Sequence, residues 1–218
     1  MSQRTVEEYV EAIGALEERE SPVSTSAIAQ SLGLSLASVS EMLRRLSEKG
    51  LIEYTPYGGA SLTEEGRRRF IRLTRRHRLW EVFLNQHLGI GWEDVYQHAC
   101  SLEHATSDLV AEKLAKYLDN PEVCPHGSPI PGGSARRART SGTLLADLEA
   151  GQEAELVSVI MERDPEFLRY LTSLGMTPGA RLKVLEKAPF AGPLTVAVND
   201  ISRAVGREAA SLIVVKKL

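Results

Sequence analysis

The chain has 218 residues, 43% of them hydrophobic and 25% charged, which is enough for one large globular domain or two to three small ones. Its 26 Lys and Arg residues and 29 Asp and Glu residues give a net charge of −3, so overall charge gives no sign of nucleic-acid binding. Two cysteines are too few for a disulfide framework, and no stretch approaches the ~20 apolar residues of a membrane span. We therefore expect a reduced, cytoplasmic protein.

Charge is divided unevenly along the N-terminal part of the chain. Residues 1–20 hold two basic and six acidic side chains, whereas residues 21–80 hold ten basic and five acidic ones. Apolar residues at helical spacing predict that the acidic segment is an amphipathic helix from Thr5 to about Glu20. The basic segment that follows is a candidate for contact with an acidic partner.

The basic segment has the pattern of a winged helix-turn-helix. A hydroxyl residue at 24–25 caps a short helix, Gly33 supplies a turn, and a third helix runs from its cap at Ser35 until Lys49-Gly50. Two short strands follow, from Leu51 to Tyr54 and from Ala60 to Thr63, joined by a turn rich in glycine. A third helix followed by a small hairpin is the order of a winged helix.

A recognition helix reads base edges through short polar side chains at its N-terminal end, and basic side chains nearby contact phosphates. The third helix offers both, and the turn between the strands can approach a phosphate closely. The predicted DNA-binding residues are Ser35, Ala37, Ser38, Ser40, Arg44, Tyr57 and Gly58. The alternative is that the serines only cap the helix and that the basic side chains form a solvated face.

A long helix, predicted over residues 63–88, carries many arginines that we interpret as a solvated basic face. One pair on it differs, because His77 and Glu81 are four residues apart and project from the same side of the helix. This spacing suits a metal ion, although such a pair is more often an ordinary surface contact.

A further helix that ends near His104 presents Cys100, Glu103 and His104 at positions i, i+3 and i+4. A thiolate, a carboxylate and an imidazole suit a borderline transition metal better than Mg²⁺ or Ca²⁺. The alternative is a buried cysteine beside a surface Glu-His pair. Because Glu8 and Glu11 add carboxylates on one face of the first helix, the set predicts a metal site that ties that helix to the helical middle of the chain.

The motifs that carry a family resemblance are the stretches 5–11, 76–81, 99–104 and 129–132, together with the helix-turn-helix through Ser40. In these stretches the chain resembles the diphtheria toxin repressor family of metal-dependent transcriptional repressors, in the branch that keeps a C-terminal domain. The resemblance covers the whole chain. It implies a homodimer that reads a palindromic DNA operator and represses metal-uptake genes.

The resemblance also implies a primary metal site. Carried over by position, its ligands are Glu8, Cys100, Glu103 and His104, with Glu11 and His77 as further candidates. Iron-sensing members resemble this chain at Cys100 but place a methionine where Glu8 stands, whereas manganese-sensing members have a carboxylate there but usually a glutamate in place of Cys100. Tyr96 replaces a histidine of the ancillary site of iron-type members, which argues against that version of the site.

A second pair of donors lies in a loop rich in proline and glycine. Cys124 and His126 resemble part of the secondary site of the manganese-responsive, streptococcal-type members, in which such a pair joins a glutamate equivalent to Glu81. The remaining ligand comes from the C-terminal domain, where Asp164 is the candidate and Glu166 the alternative. We therefore expect two Mn(II) sites per chain, with Fe(II) as the alternative metal.

The predicted fold is mainly α with a small β part. The predicted domains are a winged helix-turn-helix domain at 1–72, a helical metal-binding and dimerisation domain at 73–132, a linker at 133–143 and a small β-barrel at 144–218. Alternating strands and one helix from Pro165 to Leu174 make this last part similar to the FeoA-like domain of the family.

The C-terminal part carries no set of nucleophile, base and orienting group, so we expect no enzyme. The alternatives that stay open are an iron-responsive repressor and, from other classes, a regulator that answers an organic ligand or a metal-dependent hydrolase.

Overall fold

The computed structural model describes residues 2–18, 20–132 and 142–218. Contacts divide the chain into two compact units, the first formed by Met1–Arg76 with Glu103–Thr106 and the second by His77–Leu102 with Ser107–Leu218. Most of the linker predicted at 133–143 lies outside the described residues. Among the described helices, none is long and apolar enough to cross a membrane.

The first unit begins with three helices whose starts are set by serine caps. These helices are α1 (Gln3–Glu17), α2 (Thr25–Leu32) and α3 (Leu36–Glu48). The side chains of Ser2, Ser24 and Ser35 each accept a backbone N–H of the first turn, which satisfies a donor that has no partner within the helix. Gly33 ends α2 with a φ of 65°, a conformation that glycine adopts without strain. The predicted helix-turn-helix is confirmed.

A two-stranded antiparallel ribbon follows α3 and completes the winged helix. Its strands are β1 (Ile52–Thr55) and β2 (Gly59–Leu62), and Val23 adds a bridge to Ala60. The core beneath the helices and the ribbon is built from fully buried aliphatic side chains. They include Val10, Ile13, Ile28, Val39, Leu43 and Leu46. This burial explains why the apolar residues of the three helices recur at helical spacing.

Three further helices occupy the middle of the chain. They are α4 (Glu64–Gln86), α5 (Val95–Glu103) and α6 (Asp108–Tyr117). Sequence reasoning did not predict α6, which begins at a cap formed by Ser107. Within the second unit, Leu79 and Val82 of α4 pack with Ala111 and Ala115 of α6, and the buried Cys124 belongs to the same cluster.

The rest of the second unit is a six-stranded antiparallel sheet. Its strands are β3 (Thr143–Leu144), β4 (Glu153–Val159), β5 (Arg181–Lys187), β6 (Leu194–Val198), β7 (Ile201–Val205) and β8 (Ile213–Lys217), in the order β3-β8-β4-β5-β6-β7. Two helices accompany them, α7 (Pro165–Ser173) and α8 (Arg207–Ala210). Trp92 packs into the core of this sheet, and its indole N–H donates to Thr172 Oγ1 at 2.7 Å. The predicted small β domain is confirmed, with β3 and β7 as added strands.

Candidate metal centres and nucleic-acid interface

The first cluster of candidate metal ligands consists of Glu11, Glu103 and His104, all in the first unit. Each side chain offers one ligand atom, and these atoms lie within 4.8 Å of one another. His104 Nε2 lies 3.3 Å from Glu103 Oε1, and the Glu103 side chain is only 1% exposed. Two carboxylates and one imidazole form a donor set that suits Mn²⁺ or Fe²⁺. The geometry therefore fits a divalent cation that joins α1 to the end of α5.

Glu7 also belongs to this region, although sequence reasoning did not single it out. Its Oε2 lies 2.8 Å from His104 Nδ1. Glu7 and Glu11 are four residues apart and share one face of α1, whereas Glu8 points about 100° away from Glu7 and about 60° away from Glu11. Glu8 is 43% exposed at its side chain and pairs with Arg4 at 3.0 Å. The i, i+4 spacing of Glu7 and Glu11 was the signal that could have found Glu7.

His77 and Cys100 contact each other within the second unit. Cys100 Sγ lies 3.9 Å from His77 Nδ1, and His77 Nε2 lies 3.2 Å from Glu81 Oε1. The Tyr96 ring packs against the imidazole of His77 with 4.6 Å between centroids. Tyr96 is therefore an aromatic neighbour of a candidate ligand at the position where iron-type members have a histidine.

The second cluster consists of Glu81, Cys124 and His126, which are all buried and whose ligand atoms lie within 4.8 Å of one another. His126 Nε2 donates to the Trp92 carbonyl oxygen at 2.7 Å. Since Nε2 is the donor, Nδ1 faces Glu81 Oε1 at 3.3 Å and Cys124 Sγ at 3.8 Å. Glu81 Oε2 is buried and accepts no hydrogen bond from the described part of the chain. A buried carboxylate oxygen left without a donor, beside a thiol and an imidazole, fits a bound cation.

The charges around the second cluster also favour a cation. Burial by itself would raise the pKa of Glu81, but hydrogen bonds from His126 and His77 hold that pKa well below its usual range. Burial raises the pKa of the Cys124 thiol, and the charges of Glu81 and Glu162 raise it further. Burial lowers the pKa of His126, but the hydrogen bond to Glu81 outweighs burial and raises it. A metal that binds here must therefore displace protons.

Asp164 and Glu166, the predicted ligands from the C-terminal part, do not join the second cluster in the structure. The Asp164 carboxylate caps α7 and accepts the backbone N–H groups of Glu166 and Phe167 at 2.9 and 3.0 Å. Glu166 is exposed in the first turn of α7. Asp and Pro at adjacent positions favour a helix start, which explains why this aspartate serves as a cap.

Glu162 is an acidic residue of this part of the chain whose charge acts on the second cluster, since it contributes to the raised pKa of both Cys124 and His126. Its carboxylate accepts a hydrogen bond from Ser128 Oγ at 2.6 Å and pairs with Arg78 at 3.4 Å. Arg78 also donates to the Pro129 carbonyl at 2.6 Å. Sequence reasoning missed Glu162 because the link runs through a loop that no local pattern indicates.

The candidate DNA-binding residues lie at the start of α3, at Arg44 in its second half, and at the tip of the ribbon. Ser35, Ala37, Ser38, Arg44, Tyr57 and Gly58 are exposed, and Ser40 is half-buried. Ser35 caps α3 and its hydroxyl contacts that of Ser38 at 2.9 Å. Leu36, which was not predicted, is 56% exposed between these serines and could contact a thymine methyl group.

Comparison with known proteins identifies the family. Three protein-family models match the chain. The model described as "Iron dependent repressor, N-terminal DNA binding domain" matches residues 1–60, and that described as "Iron dependent repressor, metal binding and dimerisation domain" matches residues 63–132. The model described as "FeoA domain" matches residues 143–217. The iron-dependent repressor IdeR of Mycobacterium tuberculosis is 32% identical over 225 residues, covering 98% of this chain and 97% of that protein. The chain belongs to the iron-dependent repressor family.

Relatives in the iron-dependent repressor family include both iron-named and manganese-named proteins. The diphtheria toxin repressor of Corynebacterium glutamicum is 32% identical over 192 residues, covering 84% of each chain. A solved manganese-dependent transcriptional repressor in complex with manganese is 34% identical and superposes with a TM-score of 0.88, covering 98% of this chain and 100% of its own. The manganese regulator SloR is 32% identical with a TM-score of 0.78, covering 98% of each chain.

Membership of the iron-dependent repressor family confirms the resemblance seen in the sequence motifs. It confirms a DNA-binding transcriptional regulator that depends on a metal ion. The family comparison does not choose between manganese and iron, because relatives named for each metal match over nearly the whole chain.

Proposed function

We propose that this protein is a cytoplasmic, Mn(II)-activated repressor that binds a palindromic operator as a homodimer and controls metal-uptake genes. The observation that carries the proposal is the first cluster, in which Glu11 of α1 meets Glu103 and His104. A cation held there ties α1 to the end of α5. Because α1 packs against α2 and β2, a cation that holds α1 also constrains the unit that carries the recognition helix.

The donor set of the first cluster supports Mn(II) as the activating metal. Glu11 and Glu103 supply oxygen, and His104 supplies a borderline nitrogen, a combination that suits Mn²⁺. The family resemblance adds Glu8 and Cys100 as ligands, Cys100 standing one helical turn before Glu103 in the sequence. A thiolate favours the softer Fe²⁺, and Fe²⁺ generally binds such sites more tightly than Mn²⁺. Fe(II) is therefore the alternative metal.

We propose the second cluster as a second metal site, which gives two sites per chain. The cluster supplies three different donor atoms, from Glu81, Cys124 and His126. Because the buried Glu81 Oε2 accepts no hydrogen bond from the described residues, its lone pairs are available to a cation. Glu162 is the candidate for an additional ligand, in preference to Asp164, whose carboxylate is engaged at the cap of α7. To bind the metal, the Glu162 carboxylate would have to give up its contacts with Arg78 and Ser128.

Metal-dependent DNA binding requires only that the cation binds the DNA-competent conformation more tightly than the other conformation. A preference of about 1–3 kcal/mol changes DNA affinity by roughly 5- to 150-fold. In the DNA-bound state, the exposed start of α3 would read bases, with Ser35, Ala37, Ser38 and Ser40 at the groove. Arg44, Tyr57 and Gly58 would contact the phosphate backbone.

The proposed homodimer is supported by an apolar face on α6. Three large apolar side chains of this ten-residue helix are exposed, Leu109 by 69%, Val110 by 46% and Tyr117 by 65%. So many exposed apolar side chains on one short helix are unusual. A second copy of the chain would cover them, and two recognition helices would then read the two half-sites of a palindrome.

The proposal is tested by metal titration and by DNA binding. Duplexes selected from a random pool in the presence of Mn²⁺ serve as probes, and their binding is measured with metal-free, Mn²⁺-loaded and anaerobic Fe²⁺-loaded protein. Glu103→Ala should abolish the metal-dependent gain in DNA affinity, whereas Glu208→Ala, which removes an exposed carboxylate on α8, should leave it unchanged. Equal DNA binding by Glu103→Ala and the control would contradict the site. No effect of any metal on stability or DNA binding would favour a regulator of the organic-ligand type.

A further inference from the structure

A basic cavity lies within the first unit and borders the first cluster, because Glu7 lines it and contacts His104. It is open to solvent on one side, has a volume of about 670 Å³ and is lined by the start of α1, the end of α3 and the first half of α4. Its polar lining includes Ser2 and Gln3 of α1, Lys49 at the end of α3, and Arg69, Arg72 and Arg76 of α4. The volume lies within the range of sites that hold small ligands.

The lining carries an excess of positive charge. Four cationic side chains and one carboxylate, that of Glu7, line the cavity. Arg69 pairs with Glu65 at 3.1 Å, and Glu7 is engaged by Gln3 Nε2 at 2.8 Å and by His104 Nδ1 at 2.8 Å. Among the described residues, Lys49 and Arg72 form no ion pair. Because Lys49 and Arg72 are exposed and have no acidic partner there, their positive charges are available to a bound anion.

The start of α1 adds to this positive potential. Ser2 caps the helix by accepting the N–H of Thr5, and the first N–H groups of a helix carry a partial positive charge. Helix N-termini and arginine forks are each suited to phosphate oxygens, the arginines through paired N–H donors. Their combination in one cavity indicates a phosphate group more specifically than either feature would alone.

We propose that this cavity binds a phosphate-bearing anion through Lys49, Arg69, Arg72 and Arg76. Two sources provide this chemistry, a free polyphosphate or phosphorylated small molecule and the phosphate backbone of bound DNA. Lys49 ends the helix that is proposed to read bases, so the DNA source rests on the proposed function. The free-anion source does not depend on it.

The first arm of the test uses pyrophosphate and metal-free protein. Wild-type protein should bind pyrophosphate by calorimetry and gain thermal stability from it. The double variant Lys49→Gln/Arg72→Gln should bind roughly tenfold more weakly or worse, because two charge-assisted hydrogen bonds are lost. Arg68→Gln is the matched control, since Arg68 is exposed on the same helix, pairs with Glu64 and Glu65, and lies outside the cavity lining.

The second arm uses Mn²⁺-loaded protein and a random-sequence duplex, followed over a range of salt concentrations. If the cavity receives a DNA phosphate, the double variant should lower the salt slope of the binding constant by about 1 to 2, at every sequence alike. An unchanged slope with lost pyrophosphate binding would assign the cavity to a free anion. If the double variant matched Arg68→Gln in both arms, the cavity would not be an anion site. A protein that binds pyrophosphate but no DNA would contradict the proposed function and leave the anion site standing.

Discussion

Gly127 holds the loop of the second cluster in place, and its replacement by alanine tests that role directly. The residue follows His126, has a φ of 84°, and donates its N–H to the Cys124 carbonyl at 2.9 Å. A Cβ atom added here would lie 1.9 Å from the Val157 carbonyl oxygen and 2.8 Å from Ser158 Cα. The loop must therefore move away from β4 by about 1 Å or more to accept alanine.

The loss of stability expected for Gly127→Ala has two contributions. A left-handed conformation for alanine costs about 1–3 kcal/mol, and the clash with β4 adds to it. Gly151→Ala separates the two, because Gly151 has a φ of 88° but nothing within 4 Å of the added Cβ. We expect Gly127→Ala to lower the free energy of unfolding by about 3–5 kcal/mol and Gly151→Ala by about 1–2 kcal/mol.

Denaturant unfolding measures the stability of both variants, and metal titration measures their second site. Moving Cys124 and His126 by about 1 Å should abolish binding at the second cluster while the first cluster still binds. If Gly127→Ala is no less stable than Gly151→Ala and still binds two metal ions, the loop does not position the ligands as argued.

Two further predictions concern the second cluster and the winged helix. Since a bound metal must displace the proton of Cys124, whose pKa is raised, and that of His126 where it is protonated, metal affinity at the second cluster should rise at least about tenfold per pH unit between about pH 6 and 8. Cys124→Ser should flatten this rise in a titration against a coloured chelator, and an unchanged slope would exclude the thiolate as a ligand. Glu17 accepts the Leu62 N–H at 2.7 Å and pairs with Arg67 at 3.2 Å, so Glu17→Gln should cost about 1–2 kcal/mol in denaturant unfolding. The exposed Glu18→Gln should cost almost nothing, and equal costs would refute the role of Glu17.

The winged helix could be predicted from the sequence because its signals are local. Ser24 and Ser35 cap helices within the same turn that they start, and Gly33 ends one where a left-handed residue is needed. By contrast, β7 is mostly exposed and shows no alternation, so it left no strand signal. The helix α6 was missed although Ser107 caps it.

The ligand sets were only partly predictable, for a different physical reason. Side chains four apart on one helix, such as His77 and Glu81, meet because helix geometry requires it. Glu162 approaches the second cluster through tertiary packing of a loop, which no spacing encodes. Asp164 was the sequence candidate for that position, but the capping signal at Asp-Pro is also local and determines where its carboxylate lies.

Replacement of Arg4 shows whether Glu8 or Glu11 is the metal ligand on α1. The family resemblance assigns Glu8 to the primary site, whereas the structure groups Glu11 with Glu103 and His104 and pairs Glu8 with Arg4. An exposed i, i+4 ion pair contributes only about 0.3–0.5 kcal/mol, so Glu8 can leave Arg4 at little cost. Both assignments are then compatible with one site that gains a ligand when metal binds.

Arg4→Gln distinguishes these cases, because it removes both the competing partner of Glu8 and a positive charge. If Glu8 joins the metal, Arg4→Gln should raise metal affinity about twofold or more, and the gain should vanish in the Glu8→Gln background. Glu11→Gln should weaken metal binding in every background, because Glu11 already lies with Glu103 and His104. If Arg4→Gln leaves metal affinity unchanged while Glu11→Gln abolishes it, Glu11 alone links α1 to the metal, and the position implied by family resemblance is not used in this chain.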